Sequence, residues 1–319
     1  LQPGTYFQFP EHFSFVPLLY SSWQTVTAYQ QSTSKLEEAP PFECFNHRIG
    51  LLHVVQKELG QCCNASRLLV LTKKNAPLGS IISPIHENVL HPVFVCIFNL
   101  SLFSSFLMCK CAVIGNGGIL QGSRCGQKID QADFVIRFNL PPLNTTEDVG
   151  TKTHLVTINP SIFHIRFQDL RDPPTAFIEV LQAYQNALFL IPALSFNYHL
   201  TIAYRAVNIM KDCGLAHRAF FLHPCYLAAL NKYWKLKGMK ETRLTTGFMF
   251  TSLALEFCDN ISLYGFWPFP YDLTGKPLNH HYYDNVLPHP SIHNMSEEFS
   301  RYLNMYAQGV LRIQLGKCQ

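Results

Sequence analysis

The chain reads as an α/β protein built on an open, mostly parallel sheet flanked by helices. Three observations predict this: short apolar runs that suit buried strands, amphipathic stretches between them that end near glycines, and a glycine turn directly after the strongest run. With 319 residues and 48% hydrophobic content, the chain can bury a substantial core. Its net charge of +4 gives no reason to expect a nucleic-acid partner.

Residues 1–43 begin without methionine, are rich in Phe, Tyr, Ser, Gln and Pro, and show no period. They read as a stem-like or non-domain segment ahead of a domain spanning 44–319. From Phe45 to Gly79 a helix followed by a Pro/Gly turn is expected. The segment 87–110 is strongly apolar and atypical, and a buried strand pair suits it best. Two other readings stay open: a marginal membrane span, and a translated intron whose pyrimidine-rich tract would encode its Phe, Ser, Leu and Pro.

A strand over 112–114 precedes Gly115-Asn116-Gly117-Gly118, which lets the backbone turn sharply and approach a ligand closely. A following helix would aim its free N–H groups at a phosphate. Further strands are expected at 134–136, 155–158, 187–191 and 220–222, with helices at 204–213 and 226–236. Lys232, Lys235, Lys237, Lys240 and Arg243 have the spacing of a solvated helix face. A dinucleotide fingerprint wants a third glycine at position 120, where this chain has Leu120, so a nicotinamide enzyme is disfavoured.

Eleven cysteines together with sequons at Asn64, Asn99, Asn144, Asn260 and Asn294 point to the oxidising secretory route. Several His residues near Asp284 raise a zinc question, but no His-x-x-x-His helix or paired Cys-x-x-Cys accompanies them, and there is no Asp-x-Asp motif.

Cys111-Ala-Val-Ile-Gly-Asn-Gly-Gly-Ile-Leu, continued by Ser123-Arg-Cys125-Gly and Asp133-Phe-Val-Ile-Arg-Phe-Asn139-Leu-Pro-Pro, resembles the large sialylmotif of sialyltransferases. Arg243-Leu-Thr-Thr-Gly-Phe-Met-Phe through Cys258 and Tyr264-Gly-Phe-Trp-Pro-Phe269 is similar to the small motif. His280-His-Tyr-Tyr-Asp-Asn285 looks like the third motif and His293-Asn-Met-Ser-Glu297 like the very short one, all in the family's order. With Asn159-Pro-Ser161 and Asn285-Val-Leu-Pro288, they resemble the α2,8 branch, of mono- or oligo-sialyltransferase type. The resemblance is weak over 44–86 and strong over 111–319.

That resemblance implies a Rossmann-like sheet in the GT-A-like variant of sialyltransferases, a single catalytic domain, and a CMP-sialic acid donor used without a metal or cofactor. It implies disulfides Cys111 to Cys258 and Cys125 to Cys318; by the loop-entropy model each is worth on the order of 4–5 kcal/mol at most. Cys44, Cys62, Cys63, Cys96, Cys109, Cys213 and Cys225 stay unassigned, with buried free thiols expected for most. It also implies a type II Golgi membrane enzyme with a lumenal catalytic domain, whose N-terminal anchor this chain lacks. Its partner is a sialylated glycan of a ganglioside or glycoprotein, and a homodimer is left open.

Asn116, Asn139, Asn159 and Ser161 are expected to cradle the donor at strand ends. Thr245, Thr246 and Gly247 would hold cytidine or phosphate at a helix start, and Trp267 would line the nucleoside pocket. His280 or His281 would stabilise the departing phosphate, with the choice between them open. His293 is the expected base, because imidazole titrates near neutrality and can take the acceptor hydroxyl's proton. Glu297, four residues on, would orient that ring or cap the helix. Inverting displacement follows, with O8 of an acceptor sialic acid attacking. Two features depart from the pattern: Phe138 stands where most relatives have cysteine, and the Asn294 sequon adjoins the expected base. The alternative reading is a catalytically impaired relative serving as a nucleotide-binding or scaffold protein.

Overall fold

The computed structural model describes residues 49–77, 81–82, 91–92, 108–195, 197–240, 243–287 and 293–318. The expected stem 1–43 and most of the atypical segment lie outside the described residues. Of that segment, β2 (His91–Pro92) pairs antiparallel with β1 (Ile81–Ile82), and residues 108–110 begin the central strand β3 (Met108–Ile114).

The main sheet has seven strands. After β3 come β4 (Phe134–Phe138), β5 (Leu155–Thr157), β6 (Leu188–Ile191), β7 (Ala219–Phe221), β8 (Cys258–Tyr264) and β9 (Arg312–Gln314). Their order is β7-β6-β5-β4-β3-β8-β9, and every neighbouring pair is parallel. All residues of β4, β5 and β7 are buried, as a parallel sheet covered on both faces requires. The sequence reading placed β3 to β7 to within a few residues but listed neither β8 nor β9, the latter with three residues only half-buried.

The chain winds outward from β3 to β7, then returns across the sheet to place β8 on β3's other side. The order therefore reverses between β3 and β8, and a crevice opens beyond the carboxyl ends of strands at such a reversal. Glycine turns leave both strands there, at Gly115 and Gly265.

The Thr246–Phe257 helix passes directly into β8 at Cys258. A helix feeding a parallel strand runs antiparallel to it, so this helix starts at the sheet's carboxyl edge. Phe248 and the run Phe250 to Leu255 are all buried, which holds the helix by packing rather than by an amphipathic face. Phe250 meets Phe138 at 6.0 Å between ring centres, and Phe266 meets it at 6.3 Å. Position 138 is thus filled by an aromatic core contact.

The helix expected after the first glycine turn is replaced by one short 3₁₀ turn, Gly118–Leu120. Its first N–H, at Gly118, donates outside the turn to His280 O. The Asn197–Asp212 and Pro224–Leu236 helices begin earlier than expected, and each is followed by a glycine of positive φ, Gly214 and Gly238. Among the described residues, no helix is long and apolar enough to cross a membrane.

Cys111 is bonded to Cys258, joining β3 to β8 with 6.1 Å between Cα atoms. Cys125 is bonded to Cys318, with Cα atoms 4.9 Å apart, so the C-terminal residues lie beside the large motif. Cys62 is bonded to Cys63, and the free Cys213 and Cys225 are exposed. For these four the expectation of buried free thiols is corrected: two face solvent on helix margins and two are adjacent enough to join.

Candidate active site

In the first glycine turn, three glycine N–H groups donate to protein. Gly115 N–H donates to Tyr264 O at 2.7 Å, Gly117 N–H to Gly265 O at 3.0 Å, and Gly118 N–H to His280 O at 3.2 Å. A Cβ on Gly117 would stand 2.6 Å from Gly265 O. The glycines therefore let backbone approach backbone, and the helix expected to aim its N–H groups at a phosphate is here only the short turn Gly118–Leu120.

The start of the Thr246–Phe257 helix is different. Thr245 caps it, its Oγ1 accepting from Phe248 N at 3.0 Å. The N–H groups of Thr246 and Gly247 find no acceptor among the described residues, so two helix-end donors stay open beside the positive end of the helix dipole. A Cβ on Gly247 would meet Phe266 Cε1 at 2.9 Å. Glycine here keeps that approach narrow yet open.

One hydrogen-bonded chain runs along the carboxyl ends of the strands. Asn139 follows β4 with φ 62°, a left-handed conformation that Asn tolerates. Its Oδ1 accepts from Asn159 N at 3.1 Å, and Asn159 Nδ2 donates to Thr246 Oγ1 at 3.0 Å. Asn116 Nδ2 donates to Phe138 O at 3.0 Å and reaches Tyr283 Oη at 3.4 Å. The buried oxygens Asn116 Oδ1 and Asn159 Oδ1 accept nothing among the described residues. Buried amide oxygens cost free energy unless a donor reaches them, so both mark places for one. Ser161 is exposed at the head of the Ser161–Ile165 helix and is not part of this chain of bonds.

The 280–284 segment lies against the first turn: His281 bridges Gly117, and Tyr282 N–H donates to Asn116 O at 2.9 Å. His281 Nδ1 is 2.7 Å from Asp284 Oδ1, and its ring stacks on Tyr283 at 5.1 Å. Burial, then the neighbouring His281, pushes His280 down to about 4 against the pull of Asp284. Burial likewise raises Tyr283 to about 12, so its hydroxyl keeps its proton. Among the described residues no group of three or more His, Cys, Asp or Glu is arranged to hold a metal.

His293 is half-buried just before the Met295–Ala307 helix, and its Nδ1 lies 3.1 Å from Arg243 O. A carbonyl only accepts, so Nδ1 carries a proton, and in the neutral ring Nε2 bears the lone pair. Glu297 is engaged elsewhere: its Oε1 accepts from Lys240 N at 3.0 Å, and Asn294 Oδ1 caps the helix by accepting from Glu297 N at 3.1 Å. The carboxylate that matters is its neighbour. Glu298, 3% exposed, accepts from Thr245 N at 2.6 Å and from Thr245 Oγ1 at 2.5 Å. It fastens the helix carrying the very short motif to the cap of the small-motif helix.

Trp267 corrects a further expectation. Its ring is buried among Phe269 and Phe299, at 4.8 and 5.4 Å between centres, and its Nε1 donates to Tyr271 O at 2.7 Å. Its main chain adjoins the turn, its carbonyl 3.5 Å from where a Cβ on Gly117 would stand. Sequence reasoning gave no role to Glu298 or Tyr283; only Tyr283 carried a signal, as part of the third motif.

Comparison with known proteins gives this site its context. The family model described as glycosyltransferase family 29 (sialyltransferase) matches residues 65–310. Alpha-2,8-sialyltransferase 8F of Mus musculus is 37% identical over 303 residues, which cover 91% of this chain and 74% of that protein. Alpha-N-acetylneuraminide alpha-2,8-sialyltransferase of Xenopus tropicalis is 41% identical over 271 residues, 83% of this chain and 78% of that one. A crystal structure of a mammalian sialyltransferase aligns over 91% of this chain and 86% of its own, with 21% identity and a TM-score of 0.47. By the extent of the family match and the identity to these relatives, the chain belongs to glycosyltransferase family 29, the sialyltransferases, and is an enzyme of that class.

Proposed function

We propose that the protein transfers sialic acid from CMP-sialic acid to a terminal sialic acid of a glycolipid or glycoprotein glycan, forming an α2,8 linkage by inverting displacement. The names of the relatives from mouse and frog support the linkage. The observation that carries the donor site is the chain of bonds Asn139–Asn159–Thr246, which ends at the open N–H groups of Thr246 and Gly247. A phosphate suits that helix start, and the unfilled oxygens of Asn116 and Asn159 suit amine or hydroxyl donors of a nucleoside.

In the proposed reaction, His293 Nε2 takes the proton of the acceptor O8–H as that oxygen forms its bond to the anomeric carbon. The bond from that carbon to the phosphate oxygen breaks, and cytidine monophosphate leaves with the electron pair. His281 is the better placed of the two histidines to stabilise it: Asp284 fixes its Nδ1, and Tyr283 holds its plane. His280 is kept neutral by burial and serves through its carbonyl, which anchors Gly118. Charge compensation then comes from the helix end and from His281 in its protonated form, donating from Nε2 while Asp284 holds Nδ1, and the proposed step uses no metal. The catalytic domain would work in the Golgi lumen, on the oxidising side where its disulfides persist.

Radiolabelled CMP-sialic acid offered to a panel of sialylated glycolipids and glycoproteins tests this, with linkage analysis of the product. Label in an α2,8-linked disialyl unit is expected. CMP binding without transfer to any acceptor would indicate a nucleotide-binding scaffold instead.

A further inference from the structure

Arg166 is a cation that the fold positions without pairing. It follows the Ser161–Ile165 helix, half-buried, and its Nη1 donates to the carbonyls of Asn139 at 3.2 Å and Leu140 at 2.8 Å. Both carbonyls belong to residues of positive φ, 62° and 47°, so one guanidinium edge braces an unusual stretch of backbone beside the cradle. The guanidinium carbon lies 5.3 Å from the centre of the Phe167 ring and 5.6 Å from that of Tyr283. Among the described residues, Nε and Nη2 meet no acceptor, and no carboxylate comes within ion-pair reach.

A guanidinium tied down along one edge and flanked by two aromatic rings cannot swing to find solvent partners cheaply. What remains is a planar fork with its ordering largely complete before any ligand arrives. Its surroundings place it: Asn139 belongs to the bonded chain ending at Thr246, while Tyr283 touches Asn116 and stacks on His281. A phosphate is already matched by the helix start and His281. The other fixed anion of the chemistry is the sugar's own carboxylate, whose two coplanar oxygens fit the fork.

We propose that Arg166 binds the carboxylate of a sialyl group, a charge that separates this sugar from neutral hexoses. The inference rests on the sialyl-transfer reading above and names a residue that gives the site its selectivity for an acidic sugar. Donor and acceptor each carry such a carboxylate, and the assay distinguishes them.

The test compares Arg166→Gln and Arg166→Lys with wild type, using calorimetric CMP binding and steady-state KM for CMP-sialic acid and for a sialylated acceptor. Wild type that neither binds CMP nor transfers would remove the underlying reading, separately from anything about Arg166. Losing a hydrogen bond to a charged group costs roughly a 10-fold or greater rise in KM. Arg166→Gln is expected to show that rise for one substrate only, with CMP affinity held within about 2-fold, since CMP has no carboxylate. The substrate affected identifies which carboxylate is bound, and Lys is expected to restore part of the loss. CMP affinity falling in step with KM would assign the residue to the phosphate and overturn the proposal; so would unchanged constants.

Because Nη1 also braces backbone, a second arm avoids mutation. Wild type assayed with the methyl ester of that substrate should show a comparable KM penalty, and combining ester with Arg166→Gln should add little. Fully additive penalties would overturn the assignment.

Discussion

Two glycine-containing segments face the same crevice and do opposite things. The turn after β3 gives the N–H groups of Gly115, Gly117 and Gly118 to neighbouring carbonyls, whereas the helix start at Thr246 and Gly247 leaves its donors open. In the first, missing side chains let backbone meet backbone; in the second, the missing side chain makes way for the Phe266 ring beside two open N–H groups. A glycine-rich sequence alone does not say which, because the answer depends on what the remainder of the chain brings alongside.

The largest expected effect sharpens the contrast from the chemical side. His293→Ala should lower kcat by about 10²–10⁴-fold while leaving CMP affinity near wild type, since His293 is proposed to act on the acceptor. A matching loss of CMP affinity would place it in the cradle instead. Gly117→Ala follows: the added Cβ would press on Gly265 O, and overpacking of this kind costs about 1–3 kcal/mol of stability. Denaturant unfolding should show that loss, while the folded fraction keeps its CMP affinity. An enzyme of normal stability with weakened CMP binding would mean that the turn, not the helix, meets the nucleotide.

Thr245→Ala should act on both counts. Removing the cap costs about 0.5–2 kcal/mol, and it also strips Glu298 of a hydroxyl partner. Both unfolding midpoint and CMP affinity are expected to fall, and loss of stability alone would separate the cap from the ligand.

The gentlest effect is one of pH. An unfolded chain titrates His280 near 6.5, and the folded one holds it down at about 4. Unfolding therefore takes up a proton between those values, so this contribution is complete above about 6.5 and declines as pH falls toward about 4. His280→Gln should flatten part of that decline in a stability profile. His199, also pushed down to about 4 chiefly by burial, should sustain part of the rest, together with His154 and His223, which burial also lowers.

Local pattern carried the strands well. The apolar runs at β4, β5 and β7 needed no tertiary knowledge, and neither did the helices that end near Gly214 and Gly238. What local pattern could not carry was partnership. Glu297 and Glu298 are indistinguishable by type, yet helical rotation sends one to Lys240 N and the other to Thr245. Arg166 belongs to no motif and gains meaning only when the turn after β4 curls over its Nη1. Trp267 looked like a platform for a base because aromatics at strand ends can serve so, but Phe269 and Phe299 claim its ring.

The tether of His293 has a wider consequence. An imidazole steered by an acidic side chain can be disabled by one substitution at the partner, but this ring leans on a main-chain oxygen at position 243. Every amino acid supplies that atom, so sequence drift at 243 can change the local charge while the tautomer survives. That part of the orientation of the proposed base is inherited from the path of the backbone, and moving that path would disturb it.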